Sequence, residues 1–115
     1  MSSVLEIIKT RRSVRKYKTD PVSRALIEKV IEAGTYAATG RGQQSPVIIA
    51  VTNKDLREKI TKLNAEIFGR PDFDTFYGAP VILIVAANKA NNTATYDGSL
   101  VLGNMMLEAH ELGLG

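Results

Sequence analysis

PVIIAVT, residues 46 to 52, is a continuous apolar run rich in β-branched residues, and PVILIVAA, residues 80 to 87, is a second run of the same kind. Runs of this length without polar interruption are typical of strands that are covered on both faces. The two segments therefore predict two buried strands.

Helical spacing of apolar residues predicts four helices around these strands. They are a short helix after Ser2 or Ser3, a helix from Ser23 to about Ala37, an amphipathic helix after Asn53, and a helix from about Asp97 to Leu112. Ser and Asn are favoured caps at helix N-termini. VRKYK, residues 14 to 18, alternates in character and predicts a short edge strand.

The last predicted helix, Asp97 to Leu112, is apolar on most of its circumference. Such a helix is buried on most sides, but two strands are too few to cover it, since typical sheets have about five or six. The chain also stops at GLG, residues 113 to 115, directly after a helix C-cap signal. We therefore expect that a partner subunit covers this helix, that the chain is the front portion of a longer protein, or both.

The 115 residues, 44% of them hydrophobic and 23% charged, predict one soluble globular domain. No apolar run approaches the roughly 18 residues of a membrane span, and the N-terminus lacks the layout of a signal peptide. The expected location is the cytoplasm, without a membrane partner. Cysteine is absent and the only histidine, His110, is expected to be structural. No side chain is therefore predicted to be a catalytic nucleophile or to bind a metal.

RRSVRKY, residues 11 to 17, concentrates positive charge in a chain whose net charge is only +3. Such a cluster suits nucleic acid, an anionic membrane surface or one phosphate-bearing ligand, and it also suits a solvated basic edge strand. Tyr17 is its only aromatic residue, so the stacking partners of a single-stranded nucleic-acid groove are absent. A compact phosphate is the favoured partner, and nucleic acid is not expected.

The order of these segments resembles the FMN-dependent nitroreductase family. RRSVRKY follows a short helix, AATGRGQQ (residues 37 to 44) precedes the first strand, GAPV (residues 78 to 81) leads into the second, and a Met-rich helix ends in GLG. The resemblance covers essentially the whole chain. It implies an α+β fold with a nitroreductase-like mixed β-sheet flanked by helices, in which residues 1–115 form a single domain that lacks its C-terminal part.

The resemblance implies an FMN-dependent oxidoreductase that uses NAD(P)H to reduce nitroaromatics, quinones or similar electron-poor small molecules. In the family, two chains form an interlocked homodimer with FMN at the interface. A ping-pong mechanism lets NAD(P)H deliver a hydride to the flavin and leave before the acceptor binds. Another basic phosphate contact of the family follows the GLG segment, so residues 1–115 alone are expected to lack stable FMN-dependent NAD(P)H oxidation.

Part of the implied FMN site lies in the basic segment. The family's Arg-x-Ser-x-Arg/Lys pattern maps onto Arg11, Ser13 and Arg15, with Arg12 between them. Guanidinium and hydroxyl groups suit the FMN phosphate. In an extended segment Arg11, Ser13 and Arg15 would point to one face and Arg12 to the other.

Two further positions complete the implied FMN site. In ATGRGQQSP, Gly40 and Gly42 permit positive φ and close approach of the backbone to a flat ligand, and Gln44 can offer a donor and an acceptor to the flavin edge. Gly42 stands where the family usually has asparagine. Asn64 lies where relatives have a polar residue that reaches the flavin, and it is also one polar position on an amphipathic helix.

Two alternatives stay open beside the enzyme. One is a basic binding module for nucleic acid or another anionic partner, and the other is a catalytically silent flavin-binding member of the family. A flavoprotein is yellow, whereas a nucleic-acid module is colourless and its binding weakens steeply with salt. Bleaching of the flavin by NADH separates the enzyme from the silent member.

Overall fold

Four α-helices and two β-strands follow one another in residues 3–115, the part of the chain that the computed structural model describes. The elements are α1 (Val4–Thr10), α2 (Arg24–Thr35), β1 (Val47–Val51), α3 (Lys54–Phe68), β2 (Ile82–Ala86) and α4 (Ala94–Glu111), with a short 3₁₀ turn at Gly40–Gly42. The predicted helices and the two apolar strands are thus present in the predicted order. None of the helices in this range is long and apolar enough to cross a membrane.

Side-chain caps fix where three of the helices begin. The Ser3 hydroxyl accepts the Glu6 N–H at 3.2 Å, and the Glu6 carboxylate accepts the Ser3 N–H at 3.3 Å, which makes a capping box. Ser23 and Asn53 each accept the N–H of the third residue after them. These contacts confirm the predicted helix starts.

β1 and β2 pair antiparallel, with Val47 opposite Ala86, and they make up the sheet within residues 3–115. The prediction that both strands are covered on both faces is wrong for β1, because Val47 and Ile49 are 58% and 46% exposed. Ile48, between them, packs against the core. Val51, on the same face as Val47 and Ile49, is 5% exposed, so the described residues cover β1 only in part.

One predicted strand and one predicted helix start are corrected. VRKYK is not an edge strand, since residues 11 to 18 contain neither helix nor strand. This segment runs beside the end of the chain, where a Cβ on Gly115 would lie 2.8 Å from the Val14 Cβ, and not beside β1 or β2. α4 begins at Ala94 rather than Asp97. The Asp97 carboxylate does not cap the helix, because it accepts the N–H of Gly40.

The core forms where α2 packs against α4. Val30 of α2 and Val101 and Met105 of α4 are each 3% exposed. Gly34 permits the close approach, because a Cβ at this position would lie only 2.9 Å from Met105 Cγ. The Asn104 side chain adds a hydrogen bond of 3.0 Å to a backbone carbonyl of α2. Met105 thus packs in the core.

α3 is amphipathic, as predicted, but its apolar stripe is not covered by the rest of residues 3–115. Leu63 and Ile67 on this stripe are 58% and 85% exposed. The buried residue of α3 is Ala65, which shares the wall of a cavity with the loop before β2. Arg57 ties α3 to that loop through a 3.1 Å hydrogen bond to the Ala79 carbonyl oxygen.

We predict that Met105→Ala destabilises the fold far more than Leu63→Ala. Truncation of a buried methionine costs about 2 to 5 kcal/mol, whereas truncation of a mostly exposed leucine should cost about 0.5 kcal/mol or less. Urea denaturation of the two variants measures the difference in unfolding free energy. Equal losses would contradict the described packing of α4 on α2.

Candidate functional site

The basic segment, residues 11–17, is held at the C-terminal end of α4. The Thr10 hydroxyl donates to the Glu6 carbonyl oxygen at 2.7 Å. Because a hydroxyl has one hydrogen, the Thr10 oxygen accepts at 2.8 Å from His110 Nε2. His110 thus joins the end of α1 to the last turn of α4, which is the structural role expected for it.

The arginines of the basic segment differ in what they contact. Arg12 donates from Nη1 to the carbonyl oxygens of Lys9 at 2.7 Å and Arg11 at 2.8 Å, so it satisfies backbone acceptors at the end of α1. The guanidinium groups of Arg11 and Arg15 have no hydrogen-bond acceptor and no ion pair within residues 3–115. The exposed Ser13 hydroxyl lies between them in sequence. Two guanidinium groups and one hydroxyl are therefore available to an anion.

We call residues 39–44 the glycine loop. Gly42 has a φ of 63°, as predicted, and Arg41 and Gln44 also have positive φ values of 55° and 51°. Such values are uncommon for residues other than glycine. The Thr39 hydroxyl oxygen accepts the Gln44 N–H at 2.9 Å, which helps to hold this conformation.

Gly40 joins the glycine loop to α4 through a residue that the sequence analysis missed. A Cβ on Gly40 would overlap the Thr93 side chain, so glycine is needed here for contact and not for a positive φ. The Gly40 N–H donates to Asp97 Oδ1 at 2.9 Å, and the Thr93 hydroxyl donates to Oδ2 at 2.9 Å. The only sequence signal for Asp97 is a lone carboxylate near the start of a largely apolar helix.

A cavity of about 270 Å³ opens beside the glycine loop. Thr39, Gln44 and Pro46 lie on its wall together with apolar side chains of α2, β1 and α4. Between Gln44 and Pro46, the Ser45 Oγ is buried without a hydrogen-bond partner in residues 3–115. Apolar walls with a few polar groups suit a flat ring that has a polar edge.

Asn64 is half-buried on α3. Within residues 3–115, no hydrogen bond joins its side chain to the basic segment or to the glycine loop. The role of Asn64 in FMN binding therefore stays a prediction.

α4 holds the basic segment and the glycine loop apart. Asp97 anchors the loop near the N-terminal end of the helix, and His110 anchors Thr10, directly before the basic segment, at the other end. At about 1.5 Å per residue, the two anchors are roughly 20 Å apart along the helix axis. The contacts within one chain therefore do not bring Arg11 and Gln44 together.

Acidic side chains meet where the end of α4 faces α2. Desolvation raises the pKa of Glu108, a hydrogen bond to Glu111 and repulsion from Glu111 and Glu32 raise it further, and Lys29 opposes the change. A raised pKa in the folded state means that this group stabilises the fold when protonated, and the contribution is lost as pH rises through that pKa. No group of three or more such side chains in residues 3–115 is arranged to hold a metal ion.

Comparisons with known proteins give a consistent result. The model of the nitroreductase family matches residues 8–115. A protein of Methanothermobacter thermautotrophicus, whose name describes an NADH dehydrogenase/NAD(P)H nitroreductase, is 35% identical over 116 residues, which cover 97% of this chain and 58% of that protein. The chain thus spans a little over half the length of this curated relative.

Solved structures match the fold closely. The crystal structure of a nitroreductase with bound FMN from Bacteroides fragilis has a TM-score of 0.89 at 29% identity and covers 98% of this chain and 67% of that one. An FMN-dependent nitroreductase from Clostridium difficile has a TM-score of 0.86 at 28% identity and covers 97% of this chain and 57% of that one.

We predict that His110→Ala loosens α1 and the start of the basic segment. The change removes the hydrogen bond to Thr10, which is worth about 0.5 to 1.5 kcal/mol, so amide hydrogen exchange should quicken in α1 while α2 is unchanged. His110→Gln, whose amide nitrogen can take the place of Nε2, is the control and should keep slow exchange. Faster exchange spread evenly over the chain would show that His110 supports the whole core instead.

Proposed function

The chain belongs to the nitroreductase family, and from this premise we propose that it acts as an FMN-dependent oxidoreductase that uses NAD(P)H to reduce nitroaromatic, quinone or similar electron-poor acceptors. The observation that carries the proposal is the pair of guanidinium groups, Arg11 and Arg15, without a protein acceptor in residues 3–115. They belong to a chain whose fold matches a nitroreductase with bound FMN at a TM-score of 0.89. The use of NAD(P)H as the hydride donor agrees with a cytoplasmic location.

The residues present fit the chemistry of FMN. Its phosphate is a dianion, for which guanidinium groups and a small hydroxyl are suitable partners. Arg11, Ser13 and Arg15 supply these groups, and Arg12 holds the backbone where α1 ends by its bonds to the carbonyl oxygens of Lys9 and Arg11. FMN supplies the electron-transfer chemistry when bound, and the protein supplies binding, orientation and electrostatics.

The glycine loop fits the ring end of the same ligand. The Gln44 amide can donate and accept at the polar edge of the flavin, and the cavity beside it offers apolar walls to a flat ring. Asn64 is a further proposed contact from α3. No nucleophile, metal or general acid from this chain is required, which agrees with the absence of cysteine and the structural role of His110.

We propose a ping-pong order in which NAD(P)H leaves before the acceptor binds in the same place. The chain then has to position one flat partner at a time beside the glycine loop and exclude water around it.

A homodimer explains how the separated parts of the site meet. The anchors of the basic segment and the glycine loop lie roughly 20 Å apart on α4 at about 1.5 Å per residue. Two antiparallel copies of α4 would place the basic segment of one chain beside the glycine loop of the other. α4 has a broad apolar face for this contact, with Leu100 and Met106 each 50% exposed and Leu102 43% exposed.

We predict that Arg11→Ala weakens FMN binding by roughly ten- to a hundred-fold, since a charge-assisted contact is worth about 1.5 to 3 kcal/mol. Riboflavin, which lacks the phosphate, should bind equally to the variant and the unaltered protein. Arg24→Ala, at an exposed arginine paired with Glu28, is the control and should leave both affinities unchanged. Fluorescence titration with the two ligands measures the effect.

Two results would count against the proposal, one from this titration and one from a nucleic-acid binding assay. Unchanged FMN affinity with weaker riboflavin binding would move Arg11 from the phosphate to the ring. A colourless protein that binds nucleic acid with a steep salt dependence would favour the basic binding module instead.

We predict that the dimer depends on the exposed face of α4. Met106→Glu should shift the protein toward monomer in sedimentation equilibrium, because it puts a charge in the centre of an apolar contact. Ile67→Glu, at an equally apolar but separate position on α3, should leave the dimer intact. If Ile67→Glu breaks the dimer and Met106→Glu does not, the interface lies on α3.

A further inference from the structure

Asp97 is the one charged side chain that is buried in residues 3–115, and it is 3% exposed. Burial of a carboxylate is costly unless its oxygens are hydrogen-bonded. Oδ1 accepts the Gly40 N–H and Oδ2 accepts the Thr93 hydroxyl, both at 2.9 Å. One carboxylate oxygen therefore binds the glycine loop, which is far from Asp97 in sequence, and the other binds Thr93 at the start of the same helix.

The hydrogen bond between Thr93 and Asp97 does not cap the start of α4. Thr93 is the N-cap residue, but its side chain makes no capping hydrogen bond to the helix backbone. Its hydroxyl donates to Asp97 instead. A threonine at this position normally stabilises a helix by accepting a backbone N–H. Here the Thr93 hydroxyl orients the Asp97 carboxylate instead, and α4 lacks the side-chain cap.

The glycine loop needs such an anchor. Arg41 and Gln44 have φ values of 55° and 51°, and conformations of this kind persist only where the surroundings hold them. Thr39 holds the Gln44 N–H from within the loop. Asp97 ties the other part of the loop, at Gly40, to the rigid helix, so the position of Gln44 follows from that bond.

We propose that Asp97 is a positioning residue for FMN binding. It fixes the glycine loop on α4 so that Gln44 presents its amide to the ligand. The inference rests on the proposed function, since it takes FMN as the ligand of Gln44. Asp97 itself touches no ligand in this scheme and acts through the Gly40 N–H.

The test compares Asp97→Ala with Asp97→Asn in the purified protein. Asparagine keeps an acceptor for Gly40 and a group that can bond to Thr93, so it should retain the loop and the FMN affinity. Alanine removes both bonds. In the absence of FMN, amide exchange in residues 39–44 should quicken at least about tenfold in Asp97→Ala, and FMN affinity should fall about tenfold or more.

Gln44→Ala separates anchoring from contact. It should weaken FMN binding without changing exchange in the loop, and the double variant with Asp97→Ala should bind no more weakly than Asp97→Ala alone, because the two residues act in series. If Asp97→Ala does not fold, Gly40→Ala tests the same link, since its Cβ displaces the loop from Thr93 while Asp97 is kept.

The outcomes are distinct. Faster loop exchange with lower FMN affinity in Asp97→Ala, and neither change in Asp97→Asn, supports the proposal. Faster loop exchange with unchanged FMN affinity overturns the positioning role and leaves the proposed function standing. Failure of the unaltered protein to bind FMN overturns the proposed function, and the inference about Asp97 with it.

Discussion

The close packing of α2 against α4 at Gly34 is the contact on which the other described contacts depend. A Cβ on Gly34 would lie 2.9 Å from both Met105 Cγ and Ile48 Cδ1, so a helix, a second helix and a strand meet at one point. α4, fixed in this way, carries the bond to α1 through His110 and the bond to the glycine loop through Asp97. Both parts of the candidate site are therefore positioned by one helix, α4.

The sequence predicts the elements well because their signals are local. The Ser3, Ser23 and Asn53 caps and the two apolar strand runs act within a few residues, and each is found in the structure. The burial of both faces of β1 and the edge strand at VRKYK were predicted wrongly, because each depends on which other segments lie beside it. That information is not contained in the pattern of either segment.

In the candidate site, too, the sequence predicts the features that depend on residue type and misses those that depend on long-range contacts. The basic segment and Gly42 could be recognised from residue type, and Gly42 has the positive φ expected of it. The anchor at Asp97 could not, because the hydrogen bond to Gly40 joins residues that are far apart in the chain. The engagement of Arg12 with backbone carbonyls also depends on where α1 ends, and this distinguishes it from Arg11 and Arg15.

The antiparallel pair of β1 and β2 leaves each strand with one side bonded and one side open within residues 3–115. The open sides present rows of backbone N–H and C=O groups, which are templates for the addition of another strand. β1 carries no charged side chain to deter such pairing. Each open edge is therefore a place where a further strand can add to the sheet by backbone hydrogen bonds.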